Sequence, residues 1–323
     1  MRTQTRQFSR RDALARTGLV LAATVAGAGA NSVPAAPAPT PPPGPGGFVF
    51  CLNAATIRGQ KLGLLKEIEV ATTAGYLGFE PWVESIEEYA RSGGSLKDLH
   101  QRLADSGLAI ESAIGFPEWV VDDDARRAKG LERAKHDMDL VAQIGGKRLA
   151  APPAGATTGP SLDPQQAAER YRTLLELGDQ MGIVPQLEVW GFSKNLNRLG
   201  ACTAVAMETG HPKACVLADV FHLYKGGSPF AGLKLASAGA LQVFHLNDYP
   251  AAPPRATIND SYRVYPGDGS APVSQILRDL HASGGRTVLS LELFNKQYWE
   301  QDALTVAKAG LAKMQAAVAQ ALG

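Results

Sequence analysis

The chain has 323 residues, 45% hydrophobic and 20% charged, enough to bury a large core and to form one large α/β domain. Its formal net charge of +1 hides an asymmetry, because residues 1–36 carry five Arg and one Asp while residues 37–323 carry 27 basic and 30 acidic side chains, net −3. That balance offers no basic face for nucleic acid, and three cysteines (Cys51, Cys202, Cys215) cannot make a disulfide scaffold.

Residues 1–36 read as an export signal of the twin-arginine type. Ser9-Arg10-Arg11-Asp12-Ala13-Leu14 precedes an apolar run from Thr17 to Ala30, with small residues after it. Ala13 departs from that pattern, which usually has Phe there. The run has 14 residues, fewer than the roughly 20 that span a bilayer, so no stable membrane insertion is expected after signal removal. The expected destination is the periplasm. Residues 37–47, rich in Pro and Gly, read as an extended linker, and residues 48–323 remain for the folded domain.

From Phe48 onward, short apolar runs alternate with longer amphipathic ones. The strand candidates are 48–53, 78–82, 108–114, 148–151, 184–190, 214–219, 241–247 and 288–294. Between them, helical patterns cover 62–74, 96–105, 126–144, 164–181, 201–209, 230–237, 273–282 and 302–322, and Gly75, Gly107, Gly182 and Gly284-Gly285 stand where helices should end. Eight strand–helix repeats in 276 residues predict a single (β/α)8 TIM barrel. A doubly wound open sheet is the alternative, but no GxGxxG follows an early strand.

Active sites of barrels lie at the C-terminal ends of the strands. The last four strand candidates each end in a potential metal ligand: Glu188 in PQLEVWG, Asp219 in CVLADVFH, His245 in QVFHLND and Glu292 in VLSLELF. Gaps of 31, 26 and 47 residues place each on its own βα unit. Three carboxylates and one imidazole suit one divalent ion, Mn²⁺ or Mg²⁺ foremost, with Zn²⁺ and Co²⁺ also compatible.

This run of Glu, Asp, His and Glu resembles the xylose-isomerase-like barrel superfamily, which includes sugar isomerases, ketose 3-epimerases, inosose dehydratases and endonuclease IV. CLNAATIRG (51–59), EPWVESIEEY (80–89) and HLYKGG (222–227) resemble bacterial proteins called sugar phosphate isomerases/epimerases. The resemblance covers residues 48–323 and implies one divalent metal on Glu188, Asp219, His245 and Glu292, with Glu188 and Glu292 also the acid/base pair. A carboxylate on one face of a carbon next to a carbonyl removes its proton, and one on the other face returns it. Return to the same carbon epimerises, return to the neighbouring carbon isomerises, and loss of a β-leaving group eliminates.

Further positions are candidates for contact with a small sugar or sugar derivative. A His three residues after the Asp ligand contacts a substrate hydroxyl in the ketose epimerases, which implies that role for His222. Glu80, Trp82, Trp119 and Trp190 follow strand candidates, and Lys225, Asp248 and Arg255 lie near strand ends or in the loop 248–269, which is placed to serve as a lid. Two positions depart from the ketose epimerases. Lys194, itself a candidate substrate contact, stands where they have a Glu, and Ala251 where they have an Arg, for which Arg255 and Arg263 are the candidate substitutes. The leading expectation is a metal-dependent sugar isomerase or epimerase. A lyase on a keto-sugar, keto-glycoside or inosose, and a non-catalytic periplasmic sugar-binding protein, are the alternatives. A homo-oligomer is compatible with such a barrel.

Overall fold

The computed structural model describes residues 44–323, so the expected signal and all but the last four residues of the expected linker lie outside the described residues. Eight strands, β1 (Phe48–Asn53), β2 (Gly78–Glu80), β3 (Ala109–Ile110), β4 (Arg148–Ala151), β5 (Val184–Glu188), β6 (Val216–Asp219), β7 (Val243–His245) and β8 (Thr287–Leu291), pair in parallel in the order β3-β2-β1-β8-β7-β6-β5-β4. Beyond β3 the chain closes this sheet into a barrel, where Ala113 N donates to Arg148 O (3.1 Å) and Ala150 N to Ala113 O (2.9 Å). The expected TIM barrel is the observed fold.

The outer layer contains α1 (Leu64–Ala74), α2 (Val83–Arg91), α3 (Leu96–Ser106), α4 (Asp124–Gln143), α5 (Pro164–Met181), α6 (Leu199–Glu208), α7 (Val220–Gly226), α8 (Val273–Ala282), α9 (Lys296–Trp299) and α10 (Ala303–Leu322). Sequence sets their ends. Asp123, Asp163 and Asp302 accept from the backbone N–H groups of Arg126, Gln166 and Thr305, capping α4, α5 and α10. Gly75 and Gly182 close α1 and α5 in the left-handed conformation. Three helices were not expected from the pattern: α2, α7 and α9. The segment 230–237, expected as an α-helix, is a 3-10 helix over Phe230–Leu235.

Most strands are shorter than their apolar runs, because hydrogen-bonded pairing stops where the chain turns outward although burial continues. The two-residue period of a strand then decides what fills the barrel. Val49, Cys51, Leu217, Val243 and Val288 form one apolar layer inside it. The residues two or four positions further along the same strands are Asn53, Asp219, His245, and Ser290 with Glu292, all buried. Chemistry-bearing side chains thus sit one layer above an apolar plug, at the C-terminal end. The opposite end is closed by ions, with the buried Glu111 carboxylate bound by Arg286 and, at 3.4 Å, by Arg148 Nη1.

One buried acid lies outside these networks. Glu67 on α1 is 5% exposed, and its Oε2 has no hydrogen-bond partner among the described residues. Burial raises its pKa to about 7, against a smaller opposing pull from Arg58. Below the unfolded-state value of about 4.3 the group is protonated in both states and neutral to stability. As pH rises toward 7 only the unfolded chain ionises freely, so the folded state loses stability. Glu67→Gln is therefore expected to raise unfolding free energy by roughly 1–3 kcal/mol at pH 8 and leave it unchanged near pH 4. Urea unfolding at the two pH values measures this, and an equal effect at both contradicts it.

Candidate metal centre

Neighbouring strands in register bring the centre together. Asp219 pairs with His245 across β6 and β7, and His245 with Ser290 across β7 and β8, two residues before Glu292. One ligand atom each from Asp219, His245 and Glu292 lies within 4.8 Å of the others, and all three residues are buried. His245 Nδ1 is 3.6 Å from Asp219 Oδ2 and 3.2 Å from Glu292 Oε2, and it makes no hydrogen bond of acceptable geometry. Asp219 divides its labour. Its Oδ1 accepts from His222 N at 2.7 Å, capping α7, which leaves Oδ2 facing the cluster with Asn247 Nδ2 at 2.9 Å.

Glu80 fixes the imidazole from behind. Its Oε2 lies 3.0 Å from His245 Nε2 and accepts from Ser290 Oγ (2.6 Å) and Asn53 Nδ2 (2.8 Å). Such a carboxylate holds a histidine with its other nitrogen turned toward a metal. Glu80, expected as a substrate contact, is fully buried; its Oε2 serves these three partners, and its Oε1 has none among the described residues.

A second cation enters from the long loop. Arg263, 1% exposed, places Nη1 2.8 Å from both Asp219 Oδ2 and Glu292 Oε2, and Nη2 3.1 Å from His222 Nε2. The guanidinium packs 4.9 Å from the Phe221 ring and 5.2 Å from the Phe294 ring, and Asp260 Oδ1 holds its Nη2 at 2.6 Å. Nothing in the spacing of a 22-residue loop picks Arg263 over Arg255; the fold does, because Arg255 stays exposed while Arg263 is buried against the cluster.

Charge organises the protonation states. Burial pushes Asp219 up, but Arg263, His222 and His245 outweigh it and hold its carboxyl below the usual range. Burial opposes the His245 imidazolium, but Glu292 and Glu80 outweigh it and raise its pKa well above that of a free histidine. Glu188 is different. Burial, with Glu292, Asp219 and Glu80 as like charges, pushes it up to about 8 against the pull of His245. It stands on β5 beside β6 and is electrostatically tied to the cluster, yet it is outside the group of three mutually close ligand atoms.

Other expected contacts have different positions. Trp119 is fully buried, donates from Nε1 to Pro152 O (2.8 Å) and packs on Tyr171 of α5, so it belongs to the core and not the mouth. Lys225 spends its ammonium on the carbonyls of Arg255, Ala256 and Ile258, clamping the loop. Lys194 donates to Gly159 O at 2.6 Å, tying together the connections after β4 and β5. Asp248 is buried and accepts from the N–H groups of Tyr249, Gly267, Gly269 and Ala271, staking both ends of the loop. A Cβ on Gly269 would stand 2.3 Å from Asp248 Oδ1, which explains the glycine. His222 reaches the centre through Arg263, whereas Trp82 and Trp190 each pack on Phe116 and Trp82 also on Phe294. His222 Nδ1 and Trp82 Nε1 are buried and have no partner among the described residues.

Comparison with known proteins shows the family and the fold. A sequence profile of the xylose isomerase-like TIM barrel family matches residues 68–317. The 3-dehydroshikimate dehydratase of Pseudomonas putida is 26% identical over 234 residues, 72% of this chain and 36% of that protein, so the chain spans about a third of the dehydratase's length. The inosose isomerase of Bacillus licheniformis is 25% identical over 262 residues, covering 78% of this chain and 91% of that protein. Among solved structures, that of the IolI protein with a bound zinc atom superposes with a TM-score of 0.79 at 20% identity, covering 85% of this chain and 99% of that one, a likeness of fold.

Two substitutions probe the centre. Glu80→Gln leaves Asp219, His245 and Glu292 in place and is expected to weaken Mn²⁺ binding by about 10–100-fold, read by titration against the free-Mn²⁺ EPR signal. Unchanged affinity would remove Glu80 from the centre. Arg263→Met leaves two buried carboxylates with His245 as their one remaining cation, so the metal-free protein is expected to lose about 3–5 kcal/mol. Saturating Mn²⁺ should restore more stability to this variant than it adds to the wild type, and equal increments would contradict the charge balance.

Proposed function

We propose that this chain, which belongs to the xylose isomerase-like TIM barrel family, is a divalent-metal-dependent enzyme that moves a proton next to a carbonyl of a sugar or sugar-like polyol, as an isomerase or epimerase. The observation that carries this reading is the meeting of Asp219, His245 and Glu292 in one buried cluster, two of them shared with a guanidinium that already stands in for positive charge. An orphaned buried Nδ1 and two carboxylates fit a cation, with Glu188 as the fourth ligand. The oxygen-rich set suits Mn²⁺ or Mg²⁺.

When bound, such a cation polarises a carbonyl and its neighbouring hydroxyl and acidifies the carbon between them. The rest falls to side chains. Sheet order β8-β7-β6-β5 puts Glu292 and Glu188 at the two ends of a four-strand arc, with Asp219 and His245 between them. A substrate resting on that arc has one carboxylate at either side, so one takes the proton and the other returns it. Arg263 and His222, hydrogen-bonded to each other at 3.1 Å, are placed to steady the negative charge left on the substrate oxygens. Elimination is the second reading, favoured by the relation to the dehydratase. The same first step, with a leaving group on the next carbon, gives an alkene. The export signal read at residues 1–36 is part of this proposal and favours a substrate without a phosphate.

Incubating the Mn²⁺-loaded protein in D₂O with ketoses, aldoses, inososes and 3-keto-glycosides, followed by NMR, tests the reading. Deuterium next to a carbonyl in a product of otherwise unchanged composition is expected, and Glu188→Gln should slow its entry by about 10²–10⁴-fold. A new alkene would establish elimination instead. Label entry that is indifferent to Glu188 and Glu292 would contradict their role.

A further inference from the structure

Polar groups occupy the floor of the barrel mouth, but part of its wall is aromatic. Four separate strand-to-helix connections each contribute one ring to a continuous row. Trp190 follows β5, Phe116 follows β3, Trp82 follows β2 and Phe294 follows β8. Ring centroids are 6.1 Å apart from Trp190 to Phe116, 5.3 Å from Phe116 to Trp82 and 6.4 Å from Trp82 to Phe294. The row begins at the centre itself, since Phe294 packs against the Arg263 guanidinium that bonds Asp219 and Glu292.

Its outer part is open. Phe116 is 43% exposed although two indoles flank it, whereas Trp82, Trp190 and Phe294 are half-buried. A large apolar ring held in place and left facing water, next to a polar floor, marks a surface built for a ligand. Two buried polar atoms, Trp82 Nε1 and His222 Nδ1, also lack partners among the described residues, and such groups are ordinarily satisfied. A single sugar ring is studded with hydroxyls and is served by the floor. It leaves Phe116 and Trp190 beyond Phe294 with nothing apolar to cover, while the Arg58 guanidinium lies 3.8 Å over one face of Trp82 and leaves its edge toward Phe116.

We infer that Phe116, Trp82 and Trp190 form a second subsite for the apolar face of a ring attached to the reacting sugar, so that the substrate is a two-ring glycoside and not a free monosaccharide. This rests on the reading that the sugar reacts at the Asp219–His245–Glu292 cluster. Aromatic faces attract both aryl rings and the C–H face of a pyranose, so the attached ring belongs to one of these two kinds.

Calorimetric titration of the Mn²⁺-loaded full chain with methyl β-D-glucopyranoside, phenyl β-D-glucopyranoside and cellobiose tests the subsite. At least one of the two-ring probes is expected to bind ten or more times tighter than the methyl glucoside, and which one does so identifies the attached ring. Phe116→Ala should remove most of that advantage while leaving Mn²⁺ affinity unchanged; the exposed position makes misfolding easy to exclude by circular dichroism. Equal binding of all three probes, absence of binding, or an advantage that survives both Phe116→Ala and Trp190→Ala overturns the inference. A Phe116-dependent preference without deuterium exchange would leave the subsite standing and fell the proposed reaction alone.

Discussion

Negative charge held out of water organises this molecule. Glu80, Asp219 and Glu292 meet at the end of the barrel with almost no solvent contact, and uncompensated carboxylates there cost several kcal/mol each. The fold answers with two cations of its own. One is the His245 imidazole, gripped between Glu80 on one side and Asp219 and Glu292 on the other. The other is the Arg263 guanidinium, delivered by the loop after β7. That delivery explains the loop's construction: Asp248 stakes its ends, Lys225 clamps its middle, and Asn295 Nδ2 holds Arg263 O at 3.0 Å.

Much of the architecture was legible in the sequence because it follows from period and position. Alternating strand and helix patterns predict the barrel, and the ends of successive apolar runs carry Asp219 and His245 on adjacent strands. Apolar runs overstated strand length, since burial continues where pairing stops, as after Ile110 and His245. Helix α2 escaped the pattern because it is only nine residues long, and just two of them, Val83 and Ile86, are buried.

The rest of the centre was less legible, and for one reason. Sequence assigns a residue to a strand end or a loop but not the direction in which its side chain leaves. Glu80 and Trp119 both follow strand candidates; one turns inward beneath His245 and the other outward into the layer of α5. Lys225 and Asp248 have the residue types of substrate contacts, yet backbone groups of the same loop claim them. Arg263 lies 18 positions after His245, where no spacing rule reaches, and only the return of the loop brings it back to Asp219.

Glu188 and Glu292 stand at the ends of the β5-to-β8 arc, and the proposed proton transfer rests on a substrate above Asp219 and His245 lying between these two carboxylates. Everything proposed about reaction and substrate depends on a cation at that point. The most direct measurement is a crystal structure of the protein soaked with Mn²⁺, with anomalous data collected at the manganese edge. A single anomalous peak is expected among Asp219 Oδ2, His245 Nδ1 and Glu292 Oε2, with Arg263 shifted away from the carboxylate oxygens it shares. A peak elsewhere, or no peak with Arg263 still bridging Asp219 and Glu292, would contradict the metal centre.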